Sequence, residues 1–476
     1  AWIHLYDPHS PYEPPPPFAS QYAAHPYLGE IAFADSELHR LQQFLETNGL
    51  LEKTLIVFAG DHGESLGEHG EKTHGFFIYQ AVLHVPLIIA TPSPKLRGIV
   101  SSEVTGLVDV LPTVCELAGL PTPIDVQGES LVAAFSGRRR TKAPLVYSET
   151  VYPLLHYGWS DLKSVQDGRY KLILAPVPEL YDITADPGEE RNLVYLQKKV
   201  YGDLNAGAEA LIKAAGRNAY EMETSRVDAE TREKLAALGY VGSLVDPSKI
   251  KGKKLANPRD MIGVFNELSR AREFEANGQP DEAIRAVQAI IAADPETTAA
   301  AYEILGASYM AKNDLGRAEE NLRKAVELDP QLTNIHYKIG WIAEKQGRLE
   351  EAEAEYVKEL EISPQHFKAL YNLARVYQTT GNLDKEEETL RKCLEADPKF
   401  PLTYLFLARL YLSRNERYQE AVDLARKGIE LKPEPSMLPT AYFLLAELYK
   451  RVGDEARSRE CAEKGRSLAG APAKSR

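Results

Sequence analysis

The chain has 476 residues, 44% of them hydrophobic and 26% charged, with a formal net charge of -13 at pH 7. That length exceeds an ordinary single domain, and an acidic balance with both signs interleaved argues against a nucleic-acid surface. No apolar run approaches the ~18 residues that a membrane span needs.

Cys115, Cys393 and Cys461 lie far apart, outside any metal or redox spacing, and are expected as isolated buried thiols. The first residues are apolar, without an initiator Met or a charged leader, as if cut from the middle of a fold, so the missing signal peptide says nothing of the compartment.

Trp2 to Tyr6 predicts a buried strand, ended by the loop Asp7-Pro-His-Ser-Pro-Tyr12, which carries His9. Pro14 to Pro17 reads as a stiff extended spacer. From Leu28 to Asn48, apolar residues at 28, 31, 33, 38, 41, 44 and 45 follow helical spacing, and Asn48-Gly49 closes the amphipathic helix.

Leu55 to Ala59 then predicts a short, buried, parallel strand that stops at Gly60. Asp61 and His62 follow, opening a loop with glycines at 63, 67, 70 and 75 and polar side chains Glu64, Glu68, His69, Glu71, Lys72 and His74. Open α/β sheets bind ligands at the carboxyl ends of their strands, so an Asp-His pair there points to metal chemistry; a plain turn explains the same two residues without it. Glu64, Glu68 and His69 read as loop-stabilising.

Val82 to Thr91 predicts the next strand, and further strands are expected at Val146–Glu149 and Gly168–Leu174. Residues 196–257 read as a helical connector ending in the basic run Lys249 to Lys254, a solvated linker or a contact for an anionic surface.

Beyond Asn257-Pro258 the character changes. Pro295, Pro330, Pro364, Pro398 and Pro433 recur every 34 or 35 residues, each closing an apolar helix. This period signals an α-solenoid, and the pattern resembles the tetratricopeptide repeat, with Tyr302, Leu305, Gly306, Tyr309 and Ala318 at its marked positions. Small residues at 306, 340, 374, 408 and 446 let paired helices approach. About six repeats are expected over 258–470, the first (Met261 to Asp294) degenerate, with Glu386 where a small residue belongs. By analogy, the concave face of such an array takes a peptide or a protein.

The run GDHGESLGEHG, followed by Val85-Pro-Leu-Ile-Ile-Ala90, resembles the second metal-binding segment of the sulfatase family, in the alkaline-phosphatase-like superfamily. HLYDPHSPYEPP resembles the family's PHxP segment, GLVDVLPT its helix of that pattern, and Glu179 to Leu193 the end of its C-terminal subdomain. The resemblance implies an α/β sulfatase-like fold over residues 1–195, lacking its N-terminal part, ahead of the all-α solenoid.

It further implies that Asp61 and His62 ligate a divalent ion, calcium first, with manganese or zinc as alternatives. His9 would contact the ester oxygens, and Lys72 or His74 would stand in for the family's anion-holding lysine. The implied activity is metal-dependent hydrolysis of a sulfate ester, with the nucleophile and two further acidic ligands before residue 1. His62 in place of the Asn of many arylsulfatases is similar to the phosphonate and phosphodiester branch. Phosphodiester or phosphonate hydrolysis, phosphoethanolamine-type transfer and an inactive interaction scaffold are therefore the alternatives, and a periplasmic or secreted setting would follow from the family.

Overall fold

The computed structural model describes residues 1–93, 96–135, 145–217, 254–293, 298–330 and 332–469. Most of the basic run Lys249 to Lys254 lies outside them. The chain divides into two compact units: Ala1–Glu221 with Gly252–Asn266, and Met222–Lys251 with Glu267–Arg476.

In the first unit, helix Pro26–Thr47 leads to β1 (Ile56–Ala59), which pairs with β2 (Leu87–Ala90). The pairing is antiparallel, with Val57 opposite Ile89 and Phe58 opposite Ile88, rather than the parallel arrangement expected. An apolar run reports burial but not the direction of its partner, and Ile88 remains 60% exposed in this two-stranded sheet. Residues predicted as strand before β2 instead form the helical turn Gln80–Leu83. Trp2 to Tyr6 is not a strand either: no described segment pairs with it, and Trp2 is 92% exposed.

A second sheet holds β3 (Val146–Thr150), β4 (Leu162–Gln166), β5 (Tyr170–Leu174) and β6 (Glu179–Asp182), antiparallel in sequence order. Alternation along the strands gives it two buried faces. Val165, Leu172 and Leu180 point to one face, where Leu204 and Ala208 of helix Lys198–Arg217 cover them. Leu162, Ile173 and Tyr181 point to the other, against Phe76, Phe77, Ile78, Tyr79, Trp159 and Phe265.

That second face also carries charge. Lys171 and Glu179 share it with Tyr181, because register places Lys171 opposite Tyr181 and Ile173 opposite Glu179. The buried Lys171 ammonium pairs with the buried Glu189 carboxylate at 2.8 Å. Burial lowers the Lys171 pKa, and Glu189 also accepts the Gln80 backbone N–H. One oxygen of Glu179 accepts hydrogen bonds from Tyr79 (2.9 Å), Tyr181 and Arg259 (2.9 Å). The segment 71–82 is thereby tied to the sheet, which is what positions the site.

The second unit is helical. From Ala299 onward its described helices are Ala299–Ala311, Leu315–Leu328, Ile335–Lys345, Leu349–Ile362, Phe367–Thr379, Leu383–Ala396, Pro401–Arg414, Tyr418–Glu430, Leu438–Arg451 and Glu455–Ala469. Thr298, Asp314 and Asn382 cap helix starts by accepting backbone N–H bonds. A Cβ on Gly306 would lie 2.5 Å from Leu322 Cγ, and one on Gly340 2.8 Å from the Tyr356 ring, so close helix approach accounts for the small residues there. Ala374 and Ala408 do the same work fully buried. Glu386 is buried, with one oxygen bonded to Gln378 (3.1 Å) and the other unsatisfied, and burial raises its pKa.

Candidate functional site

The loop after β1 turns back on itself because of Gly63. Its N–H donates to Val82 O at 2.8 Å, and a Cβ there would come within 2.3 Å of Ala81 O, so only glycine fits. Ser65 then braces the loop, its N–H reaching Thr73 O at 2.9 Å and its hydroxyl reaching Glu71 O at 3.1 Å. The buried Glu71 accepts the N–H groups of Phe76 (2.8 Å) and Phe77 (3.2 Å), and Thr150 of β3 donates to Gly75 O at 2.8 Å. His69 adopts positive φ, stacks on Tyr79 at 3.6 Å and bonds Gly188 O at 3.0 Å.

This frame brings four of the five expected residues together. The His62 and His74 rings stack at 4.0 Å, and the His9 and His74 rings lie T-shaped with centroids 5.6 Å apart. Asp61 adjoins them, its carboxylate 3.8 Å from His62 Nε2. Lys72 is exposed and makes none of these contacts. Of the two candidates for the anion-holding role, His74 is the one that faces His9 and His62.

Partners define the ring tautomers. His62 Nδ1 lies 2.9 Å from Gly63 O and His9 Nδ1 2.7 Å from Ser10 O. A carbonyl can only accept, so each Nδ1 carries hydrogen and each neutral ring offers an Nε2 lone pair. His74 differs: its Nδ1 sits 3.2 Å from the Glu64 carboxylate, and that hydrogen bond raises its pKa against the opposing effect of burial. The cluster thus holds two rings anchored through Nδ1 to carbonyls and a third anchored to a carboxylate that raises its pKa.

Sequence reading did not find the supporting side chains. Tyr6 stacks on His9 at 4.5 Å with its hydroxyl 3.0 Å from Nδ1, and Glu30 of helix Pro26–Thr47 accepts the N–H groups of His9 (3.0 Å) and Glu13 (2.6 Å). Glu30 is an acid buried on a helix among apolar positions, a signal that could have marked it.

Among the described residues, no group of three or more His, Cys, Asp and Glu is arranged to hold a metal ion. The donor set of Asp61 and His62 nonetheless fits part of a shell. The Asp61 side chain is 76% exposed, and its carboxylate faces a lone-pair nitrogen whose opposite ring nitrogen is anchored. Both residues line a wide cleft walled by Phe58, Leu87 and Ile89.

Residues 1–120 match the sulfatase family, and residues 67–213 match the family described as N-sulphoglucosamine sulphohydrolase, C-terminal. Residues 268–333, 305–366 and 367–400 match tetratricopeptide repeat families. N-acetylglucosamine-6-O-sulfatase of Bacteroides thetaiotaomicron is 34% identical over 182 residues, covering 35% of this chain and 31% of that protein. Arylsulfatase K of Homo sapiens is 33% identical over 181 residues, 35% of this chain and 30% of that protein. The chain therefore spans about a third of the length of these curated relatives. A solved tetratricopeptide repeat protein from Parabacteroides merdae is 22% identical, covering 43% of this chain and 78% of its own, with a TM-score of 0.36.

Proposed function

From a chain that joins part of a sulfatase-family domain to tetratricopeptide repeats, we propose the C-terminal part of a metal-dependent sulfuric-ester hydrolase acting on a sulfated sugar, with a solenoid that recruits a protein or peptide. The proposed division is 1–195 for the catalytic portion, 196–257 for the connector and 258–470 for the repeats. The observation that carries the reading is the imidazole cluster: His62 and His74 stacked at 4.0 Å, with His9 T-shaped to His74 and Asp61 beside them.

Asp61 and the His62 Nε2 would hold the divalent ion, calcium in the first instance. Such an ion, when bound, neutralises charge on the ester oxygens and favours the deprotonated nucleophile. His74, biased toward imidazolium, donates its Nε2–H to a sulfate oxygen. His9, when protonated at Nε2, donates to the same group and passes that proton to the leaving oxygen. The sugar assignment draws on the N-acetylglucosamine-6-O-sulfatase likeness.

The test is to assay the full-length protein carrying this chain on 6-O-sulfated N-acetylglucosamine, an aryl sulfate and an aryl phosphodiester, alongside measurement of bound metal. Sulfate release that stops on chelation and in Asp61→Ala is expected. Faster phosphodiester turnover would move the site to phosphoryl chemistry, and no metal with no turnover would leave an interaction scaffold.

A further inference from the structure

We propose that Glu64 is a positioning residue for His74, fixing the imidazole in one of its two flips by holding Nδ1 and leaving Nε2 as the nitrogen available to a ligand. The inference rests on the ester-hydrolase reading for its chemistry, but its geometry stands apart from that reading. The close approach of Gly63 to Ala81 O sends the next residue inward, and the Glu64 side chain is only 5% exposed.

The other loop acids are engaged by backbone. Glu68 accepts the Leu66 N–H at 2.7 Å, and Glu71 takes those of Phe76 and Phe77. Glu64 instead spends an oxygen on His74 Nδ1 at 3.2 Å. Tyr12 and Tyr27 lie around it, their phenol pKa values raised first by burial and then by the Glu64 charge.

An imidazole has two nearly isoenergetic flips about χ2, and an exposed ring samples both. Anchoring Nδ1 to a buried carboxylate by a charge-assisted hydrogen bond selects one of them. The selected flip commits Nδ1 to Glu64 and leaves Nε2 unengaged by it, on a ring that stacks face to face with His62 and lies T-shaped to His9. Losing the anchor returns the ring to a mixture and removes the oriented donor from the ester oxygens, a positional loss of about tenfold to a hundredfold in rate.

A double-mutant cycle on kcat/KM for sulfate-ester hydrolysis tests this. Glu64→Leu should lower kcat/KM about tenfold to a hundredfold with His74 present and change it less than twofold in a His74→Ala background. Glu64→Gln, which keeps an acceptor oxygen for Nδ1, should hold the His74 ring in its present place at an unchanged melting temperature. Equal losses in both backgrounds would overturn the proposal, because a purely structural carboxylate does not need His74. Crystal structures of the chain and its Glu64→Leu variant give the second readout. At atomic resolution, where ring nitrogen and carbon are told apart, the His74 ring should leave the His62 stack or occupy both flips, and a ring kept in its single present flip would also overturn the proposal. If the unaltered protein hydrolyses no ester, the proposed function fails, and the two crystal structures still decide the role of Glu64.

Discussion

Replacing Lys171 by methionine removes one member of a buried ion pair while nearly conserving volume. Both side chains are essentially inaccessible, at 0% and 1% exposure, so solvent does not screen the pair. What the substitution leaves behind is an uncompensated Glu189 carboxylate on the inner face of the second sheet. The cost of stranding a buried charge in this way is about 3–5 kcal/mol. Converting Glu189 to glutamine as well removes the stranded charge and keeps an oxygen for the Gln80 N–H. The double variant should therefore recover to within about 1–2 kcal/mol of the parent, since neutral replacements of buried pairs cost little. Urea unfolding followed by fluorescence suits the measurement. Trp159 lies in the packed face beside β5, and substituting Trp2 and Trp341 by phenylalanine leaves it as the sole reporter. A single-variant loss below about 1 kcal/mol, or a double variant less stable than the single, would refute the reasoning.

Burial pushes the Glu71 carboxyl up to about 7 despite two backbone donors, so the folded state holds a proton that the unfolded chain has released above about 4.5. Its contribution to stability is present below pH 4.5 and declines as pH rises toward 7, by about 3 kcal/mol in all. Denaturation of Glu71→Gln at several pH values should lack that slope. Gly340→Ala drives a Cβ to 2.8 Å from the enclosed Tyr356 ring, and thermal unfolding followed by circular dichroism should show a loss of about 1–3 kcal/mol. Glu386→Gln should raise the repeat melting temperature at pH 8 and not at pH 4, because the charge whose burial raises that pKa is present only at the higher pH. An equal gain at both values would locate the benefit in packing instead.

The solenoid could be read from sequence because each repeat carries its pattern locally: Tyr302 to Ala318 falls within one unit, and the same spacing recurs in later ones. Asp61 and His62 could be picked out as candidates because they follow Gly60 at the end of a strand. Partners joined across long separations could not. Lys171 reads as an ordinary polar residue on a half-exposed strand, and its burial depends on Glu189 and on the segment around Tyr79 folding over it. Lys72 and His74 are two residues apart in a glycine-rich loop, where spacing fixes no orientation; the turns at Gly63 and Gly75 decide which of them faces His9. Strand direction was likewise beyond reach at β1, since Val57 is equally apolar whichever way Ile89 runs.

Glu179 gathers Arg259 into the same unit as the second sheet, with Phe265 stacked on Phe76 at 4.6 Å and Asn266 donating to Gly70 O at 2.8 Å. Anyone trimming the gene to express the first unit alone should therefore set the stop codon beyond Asn266. Ending at Asn257, where composition shifts, would bare an aromatic patch and leave an acid facing two phenols without its arginine, and such a fragment is destined for inclusion bodies.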